Sequence, residues 1–179
     1  MAKIEYNILN REIPKSEFEC GVATIDGCVY NSYIETITQH AMAIECLVDK
    51  QPVGYCMITF KEILLDDLPE EISEYNTNLC NYCTSAHIQY IAVKKDLQGY
   101  GYGTKIIAYL IKYVMSLVKY IPIRLITLDA FKHLTKWYSD IGFKIIGDEK
   151  DYNNEETVKM YIDCITEDNL NKLNTYDTI

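Results

Sequence analysis

The chain has 179 residues, 49% apolar and 24% charged, which suits a single globular domain with a sizeable core. A net charge of −9 argues against a general nucleic-acid binder. The longest apolar run, near 106–111, is far too short to span a bilayer, and residues 1–6 carry no hydrophobic signal core, so a cytoplasmic setting is expected. In chain order, the pattern predicts a strand at 3–9, a helix over 22–38 and strands at 41–48 and 53–60 joined by the turn Asp49-Lys50-Gln51-Pro52. The acidic stretch 64–83 reads as a loop or short helix. A strand at 86–93, a glycine-rich turn and a long helix follow. Next come a strand at 124–128, a helix around 131–140, and strands at 144–147 and 158–164 around the turn-like 151–154. The tail after 167 has little apolar content.

The long helix is clear because Ile107, Leu110, Ile111, Val114 and Val118 recur at spacings of three and four, with Ile106, Met115 and Leu117 widening the stripe. Just before it stands Gln98-Gly99-Tyr100-Gly101-Tyr102-Gly103-Thr104. Glycine at alternate positions leaves backbone N–H groups uncovered, and a helix start adds the positive end of its dipole. Such a turn can cradle a phosphate or pyrophosphate; an ordinary connecting turn is the plain alternative. A P-loop is excluded because Thr104 precedes Lys105, where Lys followed by Ser or Thr is needed. A dinucleotide fingerprint is strained, because the glycines run G-x-G-x-G and Asp129, the acidic residue at the end of the next strand, comes late.

The second half adds Trp137-Tyr138-Ser139-Asp140-Ile141-Gly142-Phe143. Q-x-x-G-x-G followed by Y-x-x-x-G-F resembles the GNAT superfamily of acyl-CoA-dependent N-acyltransferases, over roughly residues 50 to 165. The resemblance implies an α/β fold with a mixed central sheet flanked by helices on both faces, a domain over 1–167 and a tail over 168–179. It implies acetyl-CoA (coenzyme A) as co-substrate and no metal. The backbone of residues 99–104, with Gln98, would hold the pyrophosphate: Gly99, Tyr100, Gly101, Tyr102, Gly103 and Thr104. Ile91 and Val93, with Ala92 between them, would run beside the pantetheine arm. Tyr138 would be the general acid that receives the leaving thiolate. The plain alternative is that Tyr138 is one of sixteen tyrosines packing a helix. Two departures stand out. Tyr100 sits where many relatives carry Arg, which Lys94, Lys95 or Lys105 would have to replace, and Phe131 sits where many carry a cofactor-contacting Asn.

Phe18-Glu19-Cys20-Gly21, the pair Ile25-Asp26 and then Val53-Gly54-Tyr55 resemble the acetyltransferase toxins of toxin–antitoxin modules, in which F-x-C/S-G opens the chain. That branch implies an aminoacyl-tRNA acceptor and an antitoxin partner; otherwise the acceptor is a small amine or peptide, and the enzyme a monomer or homodimer. A GNAT-like module that binds coenzyme A or a protein without catalysis is the remaining alternative. No general base is evident, with His87, Gln89 and Glu45 as structural residues first. Lack of a base favours an α-amino acceptor, because an α-amine of pKa about 7.7–8.0 is partly neutral where a lysine near 10.4 is not. Charge favours the small acceptor: residues 148–179 hold nine acids to three lysines, and 94–124 hold the concentrated cations Lys94, Lys95, Lys105, Lys112, Lys119 and Arg124. The seven cysteines read as reduced core residues. Cys80, Cys83 and His87 have zinc-like spacing but lack a fourth ligand. His40 and His133 read as surface residues, and Trp137 as core.

Overall fold

The computed structural model describes residues 3–73, 81–147, 152 and 156–165. The expected tail, Cys80 and most of the 151–154 turn lie outside them. The chain divides into two compact units, Met1–Lys61 with Ala86–Val114, and Glu62–Ser85 with Met115–Ile179. The strands form a mixed sheet with flanking helices, as the sequence predicts.

In the first unit, β1 (Glu5–Ile8) pairs antiparallel with β2 (Met42–Val48), and β2 with β3 (Gln51–Leu64). β4 (Tyr82–Val93) lies beside β3 and runs from the second unit into the first. The β2–β3 link is tighter than the expected four-residue turn. Only Asp49 and Lys50 lie outside the strands, with φ of 50° and 63°, which is the twist a two-residue hairpin requires. Pro52 then falls inside β3, tolerated because the register shifts opposite it, between Cys46 and Leu47. β3 continues four residues beyond Phe60 and β4 starts four before Ala86. Ladder partners extend both strands where Lys61 and Glu62 break the apolar pattern.

Helix α1 (Ala23–Ile37) covers one face of this sheet. Its Val29 packs in a core with Phe18, Ala43, Tyr55, Met57, Tyr90 and Ala92. Helix α3 (Tyr102–Leu117) covers the other face: a methyl group built on Gly54, next to Tyr55 in the pleat, would lie 3.0 Å from the Ile106 side chain. The same methyl would lie 2.5 Å from the Ala92 carbonyl oxygen, so only glycine fits in Val53-Gly54-Tyr55. Ile106, Ile107, Leu110 and Val114 of α3 are fully buried, each stabilising by about 1.5–3 kcal/mol. Tyr6 of β1 stacks on Tyr109 at 3.8 Å between ring centres and donates its hydroxyl to the Lys105 carbonyl at 3.1 Å.

The segment before α1 is anchored by charge. Arg11 makes a two-pronged pair with Glu17 at 2.6 and 2.9 Å, bonds Glu45 of β2, and Tyr55 donates to Glu17 at 2.8 Å. The Arg11 guanidinium holds the Glu17 carboxyl below its usual value.

In the second unit, short α2 (Glu70–Ser73) follows a 3-10 turn, Leu65–Asp67, both within the stretch expected as loop or short helix. β5 (Leu125–Phe131) pairs antiparallel with β7 (Thr157–Asp163), and β7 with β6 (Lys144–Ile145). β5 thus reaches Phe131, which the sequence placed in a helix; helix α4 (Thr135–Ile141) begins after a 3-10 turn. Leu65, Leu68, Ile72, Leu125 and Tyr161 form the core, and Arg124 pairs with Asp163 through two bonds of 2.8 Å. Among the described residues, no helix is long and apolar enough to cross a membrane.

Because the Glu17 carboxyl is held low when folded, its contribution is complete above the unfolded value of about 4.3 and is lost as pH falls through the folded value. Urea unfolding at stepped pH should show stability falling below pH ~4.5 in the wild type, with a shallower fall in Glu17→Gln. Parallel acid limbs in the two proteins would remove Glu17 from the anchor.

Candidate functional site

The glycine turn connects β4 to α3 through left-handed backbone. Gly99 and Gly101 have φ of 80° and 79°, and a methyl group on either would meet nothing within 4 Å. Glycine is needed there for its conformation, because an L-residue in this region costs about 1–2 kcal/mol, and the space beside the turn is open. The first N–H groups of a helix have no acceptor within it. Here the Lys105 N–H reaches the Gly101 carbonyl at 3.3 Å, so those of Tyr102, Gly103 and Thr104 stand at the free end. The first turn of α3 contains no acidic residue. Backbone donors, dipole and open space together suit an anion.

Gln98 roots the turn. Its side-chain amide donates to the Cys20 carbonyl at 2.8 Å and to the Val93 carbonyl at 3.1 Å. The segment it grips is Phe18-Glu19-Cys20-Gly21. Nearby, the Lys95 N–H donates to the Glu19 carbonyl at 2.9 Å, and the Lys94 N–H to the Val53 carbonyl at 3.0 Å. Asp26 of α1, buried at 9% exposure, accepts from the Cys20 N–H at 2.7 Å, and the Tyr30 hydroxyl donates to the Phe18 carbonyl at 2.7 Å. Sequence reasoning found the F-x-C-G and Ile25-Asp26 motifs but not this use of them. The partners lie up to 78 positions apart, and no local pattern encodes them.

Of the sequence-predicted residues at the end of β4, Ala92 is buried in the core, while Ile91 and Val93 are half-buried. Tyr100 is 67% exposed. The lysines expected to replace the missing Arg have other engagements. Lys95 pairs with Glu19 at 3.6 Å, Lys105 lies over the Tyr102 ring at 5.8 Å, and Lys94 contributes to lowering the Glu17 carboxyl.

Tyr138 belongs to the second unit, and its motif is a helix ending. The Phe143 N–H donates to the Tyr138 carbonyl at 3.1 Å and the Gly142 N–H to the Ser139 carbonyl at 3.0 Å, with Gly142 at φ 117°. This is a Schellman cap, in which the residue after the glycine packs back on the last turn. Phe143 does so, edge-on to the Tyr138 ring at 5.6 Å, and Trp137 adds a second edge contact at 4.6 Å. Y-x-x-x-G-F therefore locks the Tyr138 ring, 9% exposed. Its hydroxyl makes no hydrogen bond among the described residues. Burial pushes the phenol up to about 12.

The base candidates do not stand out. His87 is buried, Gln89 is exposed, and Glu45 is committed to Arg11 and Tyr55. His40 and His133 are exposed, and Trp137 is half-buried rather than core. Phe131 ends β5 with its ring 5.8 Å from that of His133. Burial raises the Cys20 and Cys164 thiols to about 11 and about 12. Among the described residues, no group of three or more His, Cys, Asp or Glu side chains could hold a metal ion; Cys80 lies outside them.

Residues 72–164 match the model of an acetyltransferase (GNAT) domain. No curated protein sequence matches the chain. Among solved structures, AtaT complexed with acetyl-methionyl-tRNAfMet superposes with a TM-score of 0.73, covering 88% of this chain and 94% of that one at 16% identity. A Tyr-to-Phe mutant of KacT gives 0.75, covering 90% and 95% at 15% identity. AtaTR bound with AcCoA gives 0.72, covering 90% and 94% at 18% identity. At these identities the likeness is one of fold.

The raised Tyr138 phenol stabilises the fold fully below the unfolded value of about 10, and that contribution is lost as pH rises toward the folded value. Subtracting the ultraviolet titration of Tyr138→Phe from that of the wild type should therefore leave one phenol ionising near pH 12. A difference curve centred near 10 would mean that the ring is not buried.

Proposed function

This chain belongs to the GNAT acetyltransferase family, and on that premise we propose that it transfers the acetyl group of acetyl-CoA directly to a primary amine. The observation that carries the reading is the turn from Gln98 to Thr104, with its two left-handed glycines opening the start of α3. Its N–H groups would bind the pyrophosphate, and Ile91 and Val93 would flank the pantetheine arm with their backbone. The neutral amine attacks the thioester carbonyl, a C–N bond forms, and the tetrahedral intermediate expels the coenzyme A thiolate as the C–S bond breaks. The amine's proton passes to solvent.

Tyr138 meets the thiolate with a proton donor. A buried phenol near 12 stays protonated throughout the physiological range. A thiol of pKa about 8.5 is the stronger acid, so full transfer from this phenol to the thiolate is uphill. What Tyr138 supplies is a hydrogen bond that strengthens as charge develops on sulfur, and solvent completes the protonation. The locked ring, and a hydroxyl with no hydrogen bond among the described residues, support that role.

The net charge of −9, and the lysines already engaged around the turn, favour a small amine or a peptide N-terminus as acceptor. A second reading is an aminoacyl-tRNA acceptor, with an antitoxin as partner. It is supported by the fold shared with AtaT and KacT over most of the chain, and by an F-x-C-G segment bonded to the phosphate turn. A peptide N-terminus and an aminoacyl-tRNA both present an α-amine, which needs little help from a base. The raised, free thiols fit a reducing cytoplasm.

Tyr138→Phe should lower kcat by roughly 10- to 1000-fold and leave acetyl-CoA affinity unchanged, because the lost bond forms only with the thiolate. Wild-type turnover in that variant would make Tyr138 a packing residue. Gly101→Val should abolish measurable acetyl-CoA binding by calorimetry while circular dichroism shows a folded protein; wild-type affinity would move the phosphate site elsewhere. Supplying acetyl-CoA with an amine panel, N-terminal peptides and charged tRNA in parallel identifies the acceptor. N-acetylated aminoacyl-tRNA, together with growth arrest on expression that Tyr138→Phe relieves, would select the second reading.

A further inference from the structure

We propose that Asp26 is a positioning residue for the phosphate turn, acting through the Cys20 backbone and the Gln98 side chain. The inference rests on the reading of that turn as the acetyl-CoA site. Asp26 stands in the first turn of α1, which has no side-chain cap at Val22. Instead of capping its own helix, the carboxylate reaches back to the Cys20 N–H at 2.7 Å. The negative charge lies at the positive end of α1, which favours it there. The residue so fixed presents its carbonyl, in the following peptide, to Gln98 at 2.8 Å, and Gln98 also spans to the last residue of β4 at 3.1 Å. A continuous path therefore runs from α1 through the backbone of one residue, Cys20, to the first residue of the turn.

The turn needs this support. Gly99 and Gly101 hold positive φ in a region open to solvent, with nothing within 4 Å of their would-be side chains. Glycine in such surroundings samples many conformations, and each one other than the productive turn weakens ligand affinity. Gln98 is itself exposed, so its rotamer is fixed by the two carbonyls it grips and not by packing. A carbonyl on a residue whose own N–H is held by a buried carboxylate is a firm anchor; the same carbonyl on a loose segment is not. The neighbouring Lys95 N–H to Glu19 carbonyl bond holds the segment in parallel but does not touch Gln98.

The conservative variant separates positioning from folding. Asparagine keeps the acceptor oxygen and removes the charge, whereas alanine removes both. With the full chain, Asp26→Ala should raise the KM and Kd for acetyl-CoA roughly five- to thirtyfold and leave kcat at saturation within about twofold. Asp26→Asn should recover most of that loss. Hydrogen exchange of residues 99–104 in the ligand-free protein should quicken in Asp26→Ala and in Gln98→Leu, and Asp26→Ala/Gln98→Leu should lose no more affinity than the worse single variant. Additive losses, or wild-type KM and exchange in Asp26→Ala, would overturn the proposal. If Asp26→Ala fails to fold, Gln98→Leu with Asp26→Asn decides: quickened exchange in the first and near-wild-type exchange in the second are expected, and unchanged exchange in Gln98→Leu would overturn it. Failure of the wild type to bind acetyl-CoA would sink the reading of the turn, while the exchange measurements would still test its support by Asp26.

Discussion

The first N–H groups of α3 can face a ligand only because two residues before them hold the backbone at φ near +80°. Everything attributed to the site depends on that constraint. With any side chain at Gly99 or Gly101 the left-handed conformation would cost about 1–2 kcal/mol apiece, and the route from β4 into α3 would differ. The remainder of the first unit fixes the two ends of this bend. Gly54 allows β3 to approach Ala92 and Ile106 closely, the buried face of α3 secures the helix, and Gln98 ties the start of the turn to the segment before α1.

The second unit solves a different problem, that of holding one phenol still without using its hydroxyl. A helix cap does this. The hydrogen bonds of the cap involve the Tyr138 backbone and the packing of the cap involves its ring, so neither uses its oxygen. A phenol so buried is a poor acid, and this bears on the role proposed for it. It suits a donor whose bond matters while sulfur gains charge, rather than a group that surrenders its proton.

Much of this was legible in the sequence. The stripe from Ile106 to Val114 announced α3, and the spacing of Tyr138, Gly142 and Phe143 marked a motif whose physical content, the cap, is local and therefore readable. Glycines at 99 and 101 were equally readable, because the backbone conformation they permit is local. What could not be read is long-range. Nothing near Gln98 indicates that its partner is the Cys20 carbonyl, and nothing near Arg11 points to Glu45 and Tyr55. The strand ends at Leu64 and Tyr82, and the pairing of Pro52, follow from ladder partners that the apolar pattern of one segment does not contain. Trp137 was expected in the core and is half-buried, with its ring at the edge of the Tyr138 ring.

The central claim is direct transfer, with no acetyl group ever resting on the protein. The described thiols whose acidity burial alters, Cys20 and Cys164 among them, are pushed away from the nucleophilic thiolate form, and this supports attack by the acceptor itself. Intact-mass measurement of the protein mixed with acetyl-CoA, before and after addition of an amine that it acetylates, tests this most directly. The account predicts an unchanged protein mass at every time point, with free coenzyme A and N-acetylated amine appearing together in equal amounts. A protein heavier by one acetyl group before the amine is added, and returning to its original mass as the amine is consumed, would contradict it.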